Sequence, residues 1–306
     1  MFKYKIIRSD ELYHYGRIGQ KWGVLNGPPY PLDRQTVKEV YGNKKTGSEK
    51  KALNGKKRKV ISGKELAKMV EDGGWKALNQ FKDSKLLKAS SEELLKGTNP
   101  HYHDAEVYKN NCVYAQVAYE FRKRGYDFQA VGRQSHKGIS YISQYIAWDN
   151  GYQGFGPDTD NKAILKLYDK IIDKLKYVSY KENRLKYIAL NEAADALIRG
   201  THSKKDIYKQ LSKHFESYGV GARGYIDGVW KNFECGHAFS WEVRKDGAYF
   251  LDGQSGKVLG KVSDGHYLED MYLNDMYFCR LDDIKLKDFA PGILNSVIYE
   301  EKENKK

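Results

Sequence analysis

The sequence changes its pattern at Gly219, and this change limits the folds that the chain can adopt. Three segments before it, 161–178, 182–199 and 203–217, carry apolar side chains at helical spacing. After it, glycine-rich turns separate five short runs in which polar and apolar residues alternate, and these predict strands at 225–229, 238–243, 248–251, 257–262 and 277–281. Helices followed by an antiparallel sheet predict an α+β fold.

A further predicted helix begins at Cys112, where apolar residues recur at every fourth position. Asn110 and Asn111 are both placed to cap its start, Gly125 is placed to end it, and a short strand is expected at 128–131. Two shorter helices are predicted nearer the N-terminus. Ser62 stands three residues before Glu65, as in a capping box, and a similar start is expected at Ser90 or Ser91.

These patterns divide the chain into four predicted regions. Residues 1–40 form an irregular docking segment, and residues 41–60 form a basic linker that is rich in Gly, Ser and Lys. Residues 61–98 form a helical lead-in, and residues 99–300 form the domain that carries the candidate site.

Charge is concentrated in the first third of the chain. The net charge is +13, and residues 1–100 hold 22 Lys and Arg against 11 Asp and Glu. A basic segment of this kind suits nucleic acid, an anionic membrane surface or an acidic protein, and a solvated lysine-rich surface is the plainer alternative. No run of about 18 apolar residues predicts a membrane span, and the N-terminus has no secretory-signal pattern, so a cytoplasmic location is expected.

Cys112 is the candidate nucleophile among three cysteines. None of the three forms a CxxC pair, which argues against a disulfide framework and a zinc site. Unpaired N–H groups at a helix start favour a thiolate and can hold an oxyanion. Cys235 lies in a predicted turn and Cys279 inside an apolar strand, so neither has that setting.

His237 and Asp252 are the candidate base and its orienting carboxylate. His237 opens one predicted strand and Asp252 ends the next, and a thiol nucleophile needs such a pair to move its proton. We expect both side chains on one face of the hairpin, provided that a longer loop or a bulge occupies residues 243–247. Each residue alone also has a structural explanation: a buried cysteine, a packed histidine and a turn-forming aspartate.

Two blocks of sequence resemble the papain-fold toxin family. The first is NCVYAQVAYEFRKRGYD at residues 111–127, and the second comprises GHAF at 236–239 and LDGQ at 251–254. The 15-residue step from His237 to Asp252 is similar to that of bacterial glutamine deamidase effectors with this fold. The resemblance covers residues 99–283 and implies a papain-like cysteine-hydrolase core with a basic N-terminal extension.

The resemblance also implies roles for individual residues. Cys112 is the expected nucleophile, His237 the base and acid, and Asp252 the orienter, while Gln254 helps to shape the site. The chain departs from the family at Ala115, where several relatives carry a second cysteine. It also lacks the upstream glutamine that papain uses for its oxyanion, and the side chain or the backbone of Asn111 is the candidate in its place.

Two further sets of residues are weaker candidates. Arg223 is a possible substrate contact, although an ordinary surface arginine explains it as well. His101, His103 and Asp104 are conceivable metal ligands, but a polar loop is the better interpretation. We therefore expect no metal and no organic cofactor.

A second, shorter resemblance lies at the front of the chain. HYGRIGQKWG at residues 14–23 resembles a stretch found near the termini of many tailed-phage structural proteins. It implies that residues 1–35 dock to a capsid or portal, so that the protein is carried in a virion; the alternative is an arm that packs on this protein's own domain.

These observations predict a cysteine-dependent amide hydrolase that acts on a protein substrate. A glutamine deamidase of toxin or effector type is the leading hypothesis, and a cysteine protease shares every chemical step with it. One alternative is a phage structural or internal head protein whose papain-like domain is inactive. A nucleic-acid-binding module, which would use residues 1–100, is another.

Overall fold

The computed structural model describes residues 5–7, 59–133, 152–154, 161–175, 178, 184–201, 204–231 and 236–301. Its α-helices are α1 (Gly63–Gly73), α2 (Ser91–Lys96), α3 (Glu106–Lys109), α4 (Cys112–Lys123), α5 (Lys162–Leu175), α6 (Arg184–Thr201) and α7 (Lys204–Glu216). Its strands are β1 (Lys5–Ile7), β2 (Val60–Ile61), β3 (Phe128–Ala130), β4 (Tyr152–Gly154), β5 (Arg223–Val229), β6 (Gly236–Arg244), β7 (Gly247–Asp252), β8 (Lys257–Lys261), β9 (Tyr277–Arg280) and β10 (Val297–Glu300).

These elements confirm the α+β class and most of the predicted segments. The five predicted strands after Gly219 are β5 to β9, and all the pairings recorded within the two sheets are antiparallel. No helix of the described residues is long and apolar enough to cross a membrane.

The chain folds into two compact units whose limits differ from the predicted regions. Unit I takes its described residues from 1–29, 146–252 and 258–285, and unit II from 30–145, 253–257 and 286–306. The difference arises because β10, close to the C-terminus, pairs with both β2 and β3. The predicted regions are consecutive along the sequence, so they do not include a pairing of the C-terminal strand with strands near residues 60 and 130. The predicted docking segment and linker lie outside the described residues, except for β1 and residues 59–60.

Unit II is built around α4 and a three-stranded sheet in the order β2-β10-β3. Capping boxes at Ser62 and Ser90 start α1 and α2, as predicted. The end of α4 is held by Arg122, whose guanidinium bonds Asp127 at 2.7 Å and the Leu94 carbonyl oxygen at 3.1 Å. Arg122 and Asp127 are both buried, so this ion pair fixes α4 relative to α2 and β3.

Unit I is built on a seven-stranded sheet in the order β1-β4-β9-β5-β6-β7-β8. Helix α7 packs on it through Phe215, whose ring stacks on Trp241 with centroids 4.3 Å apart and meets Phe278 edge-on at 5.0 Å. All three rings are buried, so they form the centre of the apolar core of this unit.

A line of polar side chains fastens α6 to the segment before β9. They recur at every fourth residue of the helix: Tyr187, Asn191, Asp195 and Arg199. Tyr187 donates to Asp275 Oδ2 at 2.6 Å, Asn191 Oδ1 accepts from Asn274 at 2.6 Å, and Asp195 Oδ1 accepts from the Leu273 backbone N–H at 2.8 Å. Arg199 donates to the Met271 carbonyl oxygen at 2.9 Å. We call this line the polar seam of α6.

Glycine at position 63 permits the close approach of α1 to the turn Pro291–Ser296. A Cβ atom there would lie 2.1 Å from the Leu294 carbonyl oxygen, which is backbone and cannot rotate away. We expect Gly63→Ala to lower the free energy of unfolding by about 1–3 kcal/mol. Gly73→Ala in the same helix is the matched control, because its Cβ would meet only Ala77 Cβ at an ordinary 3.4 Å. Urea denaturation of both variants checks the prediction, and equal effects would contradict it.

His214 at the end of α7 makes unit I sensitive to acid. Burial lowers the pKa of its imidazole to about 4. The folded state therefore binds a proton less readily than the unfolded chain, so stability is lost as the pH falls from 6.5 towards 4. After allowance for the half-exposed ring, the loss is about 1–2 kcal/mol. We expect His214→Gln to remove it in urea denaturation at pH 7 and pH 4.5. The exposed His266→Gln variant should leave it unchanged.

Candidate functional site

The β6–β7 hairpin places His237 and Asp252 on the same face of the sheet in unit I. Arg244 pairs with Gly247 across a two-residue turn, and the pairing continues without interruption to Ser240 opposite Leu251. The predicted longer loop or bulge at 243–247 is therefore wrong. Regular alternation is sufficient, because position 252 follows this register onto the face that His237 occupies.

The His237 ring presents its Nε2 atom to Asp252. The distance from Nε2 to Oδ1 is 3.7 Å, which is beyond a hydrogen bond and within the range of direct electrostatic attraction. The side chains are 11% and 8% exposed, so little water screens that attraction. This arrangement leaves Nδ1 as the ring atom that can exchange a proton with another group.

Two opposing effects act on the His237 imidazole. Burial lowers its pKa, the charge of Asp252 raises it, and the net shift is downward from 6.5. The ring is therefore neutral at pH 7, which is the state that accepts a proton.

Aromatic rings surround His237, and the sequence analysis did not single them out. The Trp230 ring lies 5.9 Å from the imidazole and the Phe239 ring lies 6.0 Å from it. Tyr267 meets both of these rings edge-on, at 5.2 Å and 5.0 Å. The only available signal was the position of Trp230, one residue beyond the strand that pairs with β6.

Cys112 is the first residue of the 12-residue helix α4 in unit II, as predicted. It is partly buried and is not in a disulfide. The first turn of α4 contains no acidic residue, and Arg122 and Lys123 lie in its last turn. Because Cys112 begins the helix, the positive end of the helix dipole lies beside it, and no acidic side chain of the first turn opposes that effect, which favours the thiolate.

The structure corrects the role of Asn111. Its side chain makes no capping bond to α4. Instead it donates to Asn99 Oδ1 at 3.1 Å and to the Val131 carbonyl oxygen at 2.9 Å, and it is fully buried. Both amide hydrogens are therefore used, so the side chain cannot also bind an oxyanion. Asn110 does not replace it, because that amide bonds to Glu106.

Asn99 connects the start of α4 to the turn that follows Asp252. Its Nδ2 atom donates to Asn111 Oδ1 at 3.2 Å and to the Gln254 carbonyl oxygen at 2.8 Å. In the same turn, a Cβ at Gly253 would lie 3.0 Å from the Ala115 carbonyl oxygen, so a larger residue would require the two backbones to move apart by a few tenths of an ångström. Gln254 is thus fixed beside α4 in unit II. Only the Asn-Pro dipeptide at 99–100 marked this position in the sequence.

Other sequence candidates lie elsewhere. Arg223 is paired with Glu242 and is five residues along β5 from Gly228, the partner of His237, which separates them by about 17 Å. The structure therefore does not bring Arg223 together with His237 and Asp252. Cys279 is buried in β9, as predicted, and Cys235 lies outside the described residues.

The described residues offer no metal centre. His101 Nδ1 lies 2.6 Å from Asp104 Oδ2 within a turn, which fits the polar-loop interpretation. Across the described part of the chain, no group of three or more His, Cys, Asp or Glu side chains is placed to hold a metal ion.

Comparison with known proteins gives no assignment. No family model, no curated protein and no solved structure matches this chain. The resemblance to papain-fold toxins therefore depends only on the motif residues around Cys112, His237 and Asp252, and membership of that family stays a prediction.

The electrostatic contact between His237 and Asp252 predicts a measurable shift. We expect His237 to titrate below pH 6.5, and Asp252→Asn to lower its pKa further, because only burial would then act on the ring. Titration of the imidazole by NMR checks this. Asp246→Asn, in the exposed turn of the same hairpin, is the control and should leave the titration of His237 in place. An unchanged or raised pKa in Asp252→Asn would contradict the prediction.

Proposed function

We propose that this chain is a cysteine-dependent amide hydrolase with Cys112 as nucleophile, His237 as base and acid, and Asp252 as orienting carboxylate. The observation that carries the proposal is the buried His237–Asp252 pair, with Nε2 towards the carboxylate and a neutral ring at pH 7. This is the state and orientation that a thiol nucleophile needs in its base.

The position of Cys112 supports the same chemistry. It begins the longest helix among the described residues of unit II, and its thiolate is favoured by the helix dipole. Because the Asn111 side chain is used by Asn99 and Val131, the backbone N–H groups of the first turn of α4 are assigned to the oxyanion.

The proposed reaction has two steps. His237 Nδ1 takes the thiol proton, the Cys112 sulfur attacks the amide carbon, and the proton passes to the leaving nitrogen, which departs as ammonia or an amine. Water then gives a proton to His237 and attacks the thioester, which releases the acid and restores the thiol.

Glutamine deamidation is the activity that we favour, because the motif residues resemble those of glutamine deamidase toxins. Proteolysis uses the same groups and differs only in how the amide is presented. The phage structural alternative depends on residues 1–35, which apart from β1 lie outside the described residues.

The first experiment measures the reactivity of Cys112 against pH. The full chain is alkylated with iodoacetamide from pH 5 to 9, and mass spectrometry locates the modified cysteine. We expect Cys112 to react with a midpoint well below about 8.5, the value of an unperturbed thiol. In His237→Ala the rate at pH 6.5 should fall about tenfold or more.

Two variants make this result specific. The exposed His266→Ala variant controls for the loss of a histidine and should react like the wild type. Cys235→Ala should leave the modification of Cys112 unchanged. If Cys112 reacts at the same rate with and without His237, the two groups do not act together and the proposal fails. A positive result justifies a search by mass spectrometry for glutamine converted to glutamate in candidate protein substrates.

A further inference from the structure

Two aspartates lie buried at the end of the polar seam, and among the described residues of unit I no basic side chain pairs with either of them. Asp227 is in the middle of the sheet, on β5, directly opposite Tyr277 of β9. Asp275 lies two residues before Tyr277, at the end of the turn Leu273–Asp275. Their exposures are 6% and 3%, so neither carboxyl group is solvated to any useful extent.

The hydrogen bonds of the two carboxyl groups are incomplete. Asp275 Oδ2 accepts from the Tyr187 hydroxyl at 2.6 Å. Asp227 Oδ1 is buried and has no hydrogen-bond partner. The two cations of the seam, Arg199 and Lys231, both bind Asp195 instead.

Two buried negative charges without a cation are costly. Transfer of a carboxylate from water into a protein interior costs several kcal/mol unless it is paired, and a second carboxylate nearby adds repulsion. In such a pair one carboxyl group ordinarily keeps its proton. The pKa shifts agree: burial and the charge of Asp275 raise the pKa of Asp227 well above its usual value, and burial raises the pKa of Asp275 to about 6.

We infer that Asp227 and Asp275 form a buried acid pair that retains one proton at neutral pH, and that this proton fastens β5 and β9 to the polar seam of α6. Loss of the proton leaves two buried charges beside each other. The pair therefore stabilises the core of unit I at neutral pH, and this stabilisation decreases as the pH rises.

The groups that face the pair do not replace the proton. Tyr187 comes from α6, Tyr168 from α5 and Tyr277 from β9, and burial raises the pKa of all three hydroxyls, so they stay neutral. From β6, the residue opposite Asp227 is Ala238, which carries no charge. The next charged group of β6 on that face is Glu242, four residues further along the strand.

A metal ion is the competing way to neutralise the pair. Hard cations such as Ca²⁺ take six to eight oxygen ligands, usually including several carboxylates. The described residues place only two carboxyl groups here, and no group of three or more His, Cys, Asp or Glu suits a metal. A proton therefore fits this site better than a cation.

The direction of the pH effect follows from linkage. Both groups have raised pKa values in the folded state, so the folded protein binds protons that the unfolded chain has released above about pH 4. The equilibrium constant for local opening of unit I therefore rises with pH. It rises by up to tenfold per pH unit for each proton that the folded state retains. Above pH 6.5 the contribution of Asp275 has largely ended, and that of Asp227 continues.

Hydrogen exchange on the full chain, followed by mass spectrometry from pH 6.5 to 9, tests the inference. After correction for intrinsic exchange rates, we expect protection of the β5 and β9 peptides to fall by tenfold or more over this range. Peptides of α4 in unit II are the internal control and should keep their protection. Asp227→Asn, which mimics the protonated side chain, should give a flat profile in β5 and β9. Asp264→Asn, an exposed aspartate of the same unit, should behave like the wild type.

Two results would overturn the inference. One is a wild-type profile that is flat, or that is parallel to that of Asp227→Asn. The other is protection at pH 8 that millimolar Ca²⁺ or Mg²⁺ increases in the wild type but not in Asp227→Asn, since the pair would then hold a cation. If Asp227→Asn does not fold, Asp275→Asn takes its place: removal of the neighbouring charge should make the fall in protection of β5 and β9 with pH shallower than in the wild type, and an unchanged slope would overturn the inference.

Discussion

Buried polar side chains need partners, and this requirement determines how both units are assembled. In unit II, Asn99 and Asn111 satisfy each other's amides and extend to Val131 and Gln254. In unit I, the polar seam joins α6 to the segment before β9. Apolar contacts such as Phe215 against Trp241 provide the greater part of the burial, but they are tolerant of small shifts. The directional bonds determine which segments meet, and in unit II they hold the start of α4, where Cys112 lies.

The local parts of the fold could be predicted from the sequence. Strand alternation predicted β5 to β9, and the capping boxes at Ser62 and Ser90 predicted α1 and α2, because each signal is contained within a few neighbouring residues. Of the sheet β2-β10-β3 only strand β3 was predicted, since β2 and β10 have two and four residues and the strands pair across most of the chain. Asn111 failed as a cap for a related reason. A cap is a local bond, and the bonds that Asn111 makes reach 12 and 20 residues along the chain.

Some residues of the candidate site could likewise be predicted from local sequence patterns, and others could not. Pattern and motif selected Cys112, His237 and Asp252, and alternation alone was enough to bring His237 and Asp252 to one face. Trp230 and Asn99 had only weak signals in the sequence, because their roles depend on ring contacts and amide bonds between distant segments. Asp227 was not selected from the sequence because its local pattern suggests an exposed position. An aspartate in a strand suggests an edge or a turn, and only the strand order shows that β5 lies between β6 and β9.

Strands β5 and β6 carry two titratable sites whose pKa values move in opposite directions from one cause. Gly228 is paired with His237, and Asp227 is paired with Ala238, so the imidazole and the carboxyl group lie on opposite faces of the same strand pair. Burial disfavours the charged form of each, which lowers the pKa of His237 and raises the pKa of Asp227. Near neutral pH the sheet therefore presents a neutral base on one face and an acid that resists ionisation on the other. Rising pH leaves His237 neutral and places new charge behind it, on Asp227. Because paired strands move together, any opening of β5 at Asp227 reaches the backbone that holds His237.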